Sequence, residues 1–100
     1  MRVIAVGSLR DFWHRHPAAE QPLKAWFDEA KHAAWSRPLD IRGRYATASF
    51  IGGNRVVFNI KGNDYRLVVA IAYRFQAVYI KFVGTHAEYD RIDAATVEAT

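Results

Sequence analysis

The sequence predicts an α+β fold in which N-terminal helices pack on one face of a three-stranded meander. Apolar residues recur at helical spacing in the first 35 residues, apolar and polar residues alternate from residue 55 to 83, and a helix-capping motif follows. Alternation sends successive side chains to opposite faces of a sheet. We therefore expect one apolar sheet face, covered by the helices, and one face that carries the cations.

The N-terminal third is predicted to form a short strand and two helices. The strand spans residues 2–5, where the residues are partly β-branched. The first helix begins behind Ser8, which is expected to cap it, and ends at Pro17. The second helix is predicted over about residues 20–35. The large aromatic residues of the two helices are expected to pack on the apolar sheet face: Trp13, Trp26 and Phe27.

The three strands are predicted over residues 55–61, 65–75 and 77–83. A turn at residues 62–64 separates the first two, because Gly and Asn tolerate positive φ angles. In the third strand, Val78, Ile80 and Phe82 fall on the apolar face. The opposite face gathers polar side chains from all three strands: Arg55, Asn59, Lys61, Arg66, Arg74, Tyr79 and Lys81. Small residues lie between these cations, so we expect an open, shallow surface that suits a phosphate-rich polymer.

The positive charge of the chain is concentrated in this sheet. The net charge is +4, yet residues 41–83 contain seven Arg or Lys residues and a single acidic residue, Asp64. Basic clustering on one element indicates a polyanionic partner. A solvated face that only keeps the protein soluble is the alternative interpretation.

Composition narrows the class of protein. A hydrophobic content of 51% favours a folded globule, and the absence of cysteine excludes a disulfide framework and a thiolate nucleophile. No apolar run reaches the ~20 residues that span a bilayer. We expect a single cytoplasmic domain over residues 1–100, with no membrane segment and no cofactor.

The segment Thr85–Asp90 carries candidate chemistry. Thr85 and Glu88 fit the S/T-x-x-E capping box, which predicts that a helix begins there. On that helix His86, Tyr89 and Asp90 share one side. An imidazole, a phenol and a carboxylate would then stand at the rim of the basic face. His86 and Asp90 lack a third ligand in sequence, so no metal site is predicted.

Such a face suits RNA cleavage by attack of the ribose 2′-OH on the adjacent phosphate. That reaction needs a base, cations for the phosphorane and a proton donor for the leaving 5′-oxygen. Arg66 can donate hydrogen bonds to two phosphate oxygens at once. His86 can exchange a proton near neutral pH. Tyr89 can bind the phosphate or stack on a base. The predicted catalytic residues are Arg66, His86, Tyr89 and Lys61, and the predicted RNA-binding residues are Arg55, Asn59, Arg74, Tyr79, Lys81 and Asp90.

The strings RVVFNIKGNDYRLVVAI and VYIKFVGTHAEYDRID resemble the HigB-type toxins of bacterial type II toxin–antitoxin systems, which belong to the RelE/ParE superfamily. The resemblance implies a RelE-like β-α-α-β-β-β-α order, with two N-terminal helices behind a mostly antiparallel sheet. It implies metal-independent cleavage of mRNA on the ribosome, and neutralisation by a cognate HigA-type helix-turn-helix antitoxin. It matches Arg66 to the strand arginine that contacts the scissile phosphate, and His86 and Tyr89 to the C-terminal acid–base and stacking residues.

Two other functions stay open. The ParE branch shares the fold but inhibits DNA gyrase, so a non-enzymatic inhibitor of a protein target is one alternative. A plain RNA-binding module is the other. The His-Tyr-Asp trio beside Arg66 favours the nuclease.

Overall fold

A computed structural model describes residues 1–99 and shows an α+β fold. In chain order the elements are β1 (Arg2–Ile4), α1 (Gly7–Arg15), α2 (Glu20–His32), α3 (Pro38–Arg42), β2 (Ser49–Ile51), β3 (Arg55–Ile60), β4 (Tyr65–Ala72), β5 (Ala77–Thr85) and α4 (His86–Tyr89). The predicted fold class is confirmed. The sequence allows either a short strand or a helical turn around residues 45–51, and the structure shows the strand β2 there. Helix α3 is a further short element outside the predicted order.

The five strands form one sheet with the order β1-β5-β4-β3-β2. Strands β2 to β5 pair as consecutive antiparallel neighbours, and β1 joins the edge of β5 in parallel. The sheet is therefore mostly antiparallel, as expected. The turn between β3 and β4 spans four residues, of which Lys61 and Gly62 both adopt positive φ angles.

The helices pack on one face of the sheet and form the core with it. Trp26 is 2% exposed and contacts Phe58 of β3 edge-on, with the ring centroids 5.5 Å apart. Trp13 and Phe27 are half-buried at the border of this core, so the expected packing of the helix aromatics is confirmed. Helix α2 ends at His32, earlier than predicted, because Ala33 is already extended. The extended chain turns Trp35 into the core, where it is 6% exposed.

The predicted face of Phe82 is wrong because β5 contains a bulge. Val69 pairs with Ile80 and Val68 pairs with Phe82, so Lys81 is the extra residue. An extra residue reverses the alternation beyond it. Phe82 therefore lies on the face opposite the helices, and Val83 packs against the core.

Strand β4 is also shorter than predicted. It ends at Ala72, and a 3-10 turn over Tyr73–Phe75 leads to Gln76 in the left-handed region. Arg74 is therefore on an exposed turn, with its guanidinium carbon 5.8 Å from the Phe75 ring centroid. Its expected position on the sheet face is wrong.

The second face of the sheet is not an open basic surface, which corrects the prediction. The C-terminal tail, residues 91–99, is joined to both sides of this face. Arg55 of β3 donates to the carbonyl oxygens of Ala94 and Val97 and to the Glu98 carboxylate, and Lys81 of β5 donates to the same carboxylate. A tail held at β3 and β5 crosses β4 between them. The burial of the valines on this face follows: Val57 and Val68.

The tail contact predicts a specific acid sensitivity. Hydrogen bonds from Lys81 and then Arg55 hold the pKa of Glu98 below its usual value of about 4.5. A carboxyl group with a lowered folded-state pKa stabilises the fold above its unfolded pKa and loses that contribution as the pH falls through the folded value. The wild-type chain should therefore exceed Glu98→Ala in free energy of unfolding near neutral pH, and the difference should shrink below about pH 4.5.

Urea unfolding from neutral to acid pH measures this difference. The control is Glu20→Ala, which removes a partly exposed carboxylate whose ion pair, with Lys24 of α2, includes no residue of the tail. A Glu98→Ala difference that stays constant with pH would contradict the proposed electrostatic contact.

Candidate active site

Arg66 lies at one end of the second sheet face, outside the area that the tail covers. Its neighbours across the strands are Asn59 on β3 and Gly84 on β5. The β3–β4 turn fixes its side chain, because Asn63 accepts hydrogen bonds from Arg66 Nη2 through Oδ1 (2.7 Å) and from Nη1 through its carbonyl oxygen (3.1 Å). The guanidinium is half-exposed. It is therefore oriented and still accessible.

Tyr89 completes an aromatic contact on this guanidinium. The Arg66 guanidinium carbon lies 5.8 Å from the centroid of the Tyr89 ring, a cation–π distance. The ring of Phe82 lies 6.5 Å from that of Tyr89. Phe82 lies on this face because of the bulge in β5, and it is therefore a neighbour of the Tyr89 ring.

The start of α4 is held by the predicted capping box. Thr85 Oγ1 accepts from the Glu88 amide (3.1 Å), and Glu88 Oε1 accepts from the Thr85 amide (2.8 Å). The amide of His86 also donates to the carbonyl oxygen of Asp64 in the β3–β4 turn (3.1 Å). These bonds place α4 beside the turn that orients Arg66.

The side chains of His86 and Asp90 pair on α4. The His86 Nδ1 atom lies 3.3 Å from Asp90 Oδ2, and the imidazole is 48% exposed. The carboxylate thus lies at ion-pair distance from one ring nitrogen. The exposed part of the imidazole can be reached by a substrate.

Lys61 stands on the same turn as Asn63. Its Nζ atom lies 3.1 Å from Asp64 Oδ2, and both side chains are about half-exposed. The structure thus gathers six predicted site residues at one end of the sheet: Asn59, Lys61, Arg66, His86, Tyr89 and Asp90. Their catalytic and RNA-binding roles stay predictions.

The other four predicted site residues lie elsewhere. Arg55 and Tyr79 both pair with Ala70, four residues along β4 from Arg66, which corresponds to about 13 Å. Arg55 is 8% exposed, and Lys81 is tied to Glu98. With Arg74 on its separate turn, none of these four belongs to the cluster around Arg66.

Sequence reasoning missed Asn63 and Glu98. An Asn in a glycine-containing turn is a signal for a turn residue, but not for a ligand of Arg66. Glu98 follows no motif that indicates a contact with Arg55. Within residues 1–99, no three His, Asp or Glu side chains group as metal ligands, and no helix is long and apolar enough to cross a membrane.

Comparison with known proteins agrees with this fold. The family model HigB_toxin, described as the RelE-like toxic component of a toxin-antitoxin system, matches residues 19–92. The "mRNA interferase toxin HigB" of Escherichia coli (strain K12) is 26% identical over 92 residues, which cover 90% of this chain and 88% of that protein. The same values hold for the proteins named "mRNA interferase HigB" from Escherichia coli O157:H7 and Shigella flexneri.

The fold and the matching family model define a RelE-like toxin. Within that class, the chain belongs to the HigB toxin family, as the resemblance implied.

The close packing around Gly84 predicts that this position tolerates no methyl group without a shift of the site. A Cβ atom there would lie 2.5 Å from the Phe82 ring and 3.1 Å from Glu88 Oε1. Gly84→Ala should therefore push Phe82 towards Tyr89, weaken the capping box and cost about 1–3 kcal/mol of stability. Urea unfolding, with nuclear Overhauser effects between Phe82 and Tyr89, measures both effects.

The control for Gly84→Ala is Gly52→Ala. A Cβ atom at Gly52 meets nothing within 4 Å, and its φ lies outside the left-handed region. Unchanged contacts between Phe82 and Tyr89 in Gly84→Ala would contradict the described packing.

Proposed function

We propose that the chain is an mRNA endonuclease that cleaves ribosome-bound mRNA without a metal, by attack of the ribose 2′-OH on the adjacent phosphate. The observation that carries the proposal is the contact between Arg66 and Tyr89 beside the paired His86 and Asp90. This arrangement places a cation, a phenol and a proton-exchange group together at one end of the sheet. The names of the curated relatives, which describe mRNA interferases, support the same substrate.

Arg66 is assigned to the phosphate. Asn63 accepts from both of its terminal nitrogens, so the guanidinium plane is fixed before substrate binds. A guanidinium has five N–H donors, and those that Asn63 and the carbonyl oxygen of Tyr65 do not use remain for two phosphate oxygens. Charge that develops on the phosphorane is stabilised most by such a preorganised donor. Lys61, on the adjoining turn, adds a second positive charge.

His86 is assigned to proton transfer. Asp90 lies beside Nδ1, and the exposed imidazole would give or take the proton that moves in the reaction. In the reaction O2′ loses its proton and bonds to phosphorus, while the bond from phosphorus to the 5′-oxygen breaks and that oxygen gains a proton. Tyr89 is assigned to hydrogen bonding with the phosphate or stacking on a displaced base.

The biological setting follows from the family. A toxic component of a toxin–antitoxin system has an antitoxin partner, and we assign a HigA-type helix-turn-helix protein to this role. A ribosome-bound substrate assigns the chain to the cytoplasm.

Mapping of mRNA 5′ ends after induction tests the proposal. Wild-type protein should generate new ends within translated codons. Arg66→Ala should lose roughly a hundredfold to a thousandfold in cleavage rate because the phosphate charge loses its donor. His86→Ala should lose roughly a hundredfold to ten-thousandfold because proton transfer loses its positioned group. Arg42→Ala, an exposed cation on α3 near Phe50 of the edge strand β2, is the matched control.

The same experiment separates the alternatives. Intact transcripts together with inhibited DNA supercoiling would assign the chain to gyrase inhibition. RNA binding without cleavage and without growth arrest would leave a plain binding module. Either result would overturn the nuclease.

Salt dependence of RNA binding gives an independent prediction. Each phosphate contact contributes roughly 0.7 to the slope of log affinity against log salt for single strands, through release of counterions. Arg66→Ala and Lys61→Ala should each reduce the wild-type slope by about this amount. Fluorescence anisotropy with a labelled single-stranded RNA measures the slope.

Arg42→Ala should leave the slope of the salt dependence unchanged, since Arg42 lies at the β2 edge. A wild-type affinity that does not change with salt would contradict phosphate binding by the cations of the site.

A further inference from the structure

We infer that Arg55 is a positioning residue for α4. By holding the C-terminal tail on the sheet, it keeps His86 and Tyr89 beside Arg66, although it lies about 13 Å from the row of Arg66. The inference rests on the proposed nuclease function for its effect on cleavage. Its effect on the position of α4 is independent of that function.

Helix α4 has little packing of its own beyond the contacts of Tyr89 with Arg66 and Phe82. The structure describes all four of its residues, His86–Tyr89, and none of them is fully buried. Four residues are also far too few for a stable isolated helix. The position of α4 therefore depends on its two ends as well, on the capping box at the start and on the tail beyond Tyr89.

The Arg55 contact has the features of a built anchor. Its side chain is buried, and its terminal nitrogens donate to three acceptors in the tail at 3.0 Å (Ala94 O), 2.6 Å (Val97 O) and 2.6 Å (Glu98 Oε2). Two of these acceptors are backbone carbonyls, so the contact fixes the path of the chain. A buried guanidinium left without acceptors is costly, which opposes release of the tail.

The connection between this anchor and α4 is short and internally bonded. The amides of Asp90, Arg91 and Ile92 donate back to carbonyl oxygens of α4, and the amides of Thr96 and Val97 donate back to Asp93. Two consecutive turns therefore link α4 to the anchored residues. A short, bonded linker transmits a displacement of the tail to Tyr89 and His86.

Direct binding of RNA by Arg55 is the competing explanation. The buried position of Arg55 and its three hydrogen bonds to the tail oppose it. The two explanations differ in kinetics. A positioning residue affects the cleavage step, whereas a binding residue affects the concentration of substrate at half-saturation.

The test uses full-length variants Arg55→Ala, Arg55→Lys and Glu98→Ala. The control is Arg44→Ala, which removes another arginine–glutamate pair, with Glu29, at an exposed site. Two readouts are taken in each: the aromatic NMR resonances of Tyr89 and His86, and single-turnover cleavage of mRNA in programmed ribosome complexes.

Release of the tail should move the Tyr89 and His86 resonances towards their random-coil positions in Arg55→Ala, while resonances of β3 and β4 keep their wild-type positions. The shift should be smaller in Glu98→Ala, which leaves the bonds from Arg55 to the carbonyl oxygens of Ala94 and Val97 in place. The saturating cleavage rate should fall about ten- to a hundredfold because misplacement of a reacting group by about 1 Å has an effect of this size. The substrate concentration at half-saturation should stay within about twofold of the wild-type value. Arg55→Lys should recover part of the rate, because one ammonium replaces only part of the fork.

Wild-type resonances of Tyr89 and His86 in folded Arg55→Ala would overturn the inference, and so would an effect confined to the substrate concentration at half-saturation. If Arg55→Ala fails to fold, Arg55→Lys and Glu98→Ala decide together, and wild-type resonances in both would overturn the inference. Shifted resonances in the variants, with no cleavage by wild type, would uphold the positioning of α4 and refute the nuclease.

Discussion

The register of β4 is the constraint on which the site depends. Because β4 lies between β3 and β5, one row of the sheet holds Asn59, Arg66 and Gly84 side by side. Gly84 is the last residue before the cap Thr85, so α4 begins immediately beside Arg66. The absence of a side chain at Gly84 leaves room for the Phe82 ring and the Glu88 carboxylate. A shift of one residue in this pairing would send Arg66 to the core face and separate it from α4.

The tail changes how the positive charge of the sheet is used. Glu98 offsets one of the two positive charges of Arg55 and Lys81. At the end of the sheet beside α4, Lys61 is paired with Asp64, whereas Arg66 makes no ion pair within residues 1–99. Opposite charges that pair within the fold attract a distant polyanion less, so Arg66 keeps the full attraction of its charge.

Much of this arrangement was predictable, because it is encoded locally. Period-two alternation predicted three strands, and the capping box predicted the start of α4 with His86, Tyr89 and Asp90 on one side. The features that were missed depend on the whole chain. No sequence pattern indicates the bulge at Lys81, which moves the side chain of Phe82 to the opposite face of the sheet. Arg55 and Arg66 occupy equivalent positions in alternating strands, and only the path of the tail separates a buried anchor from an accessible cation.

The division between a rigid sheet and a helix held at its ends has a physical consequence for the site. Strand β4 lies in the middle of the core, with Leu67 and Val69 fully buried, so Arg66 shares the stability of the whole domain. Helix α4 buries no residue among those the structure describes, and segments with few buried contacts open at lower free energy than the core. The phosphate-binding half of the site is thus tied to global folding. The proton-exchange half is tied to hydrogen bonds at the two ends of α4, and those of the tail begin on the same sheet, at the buried Arg55.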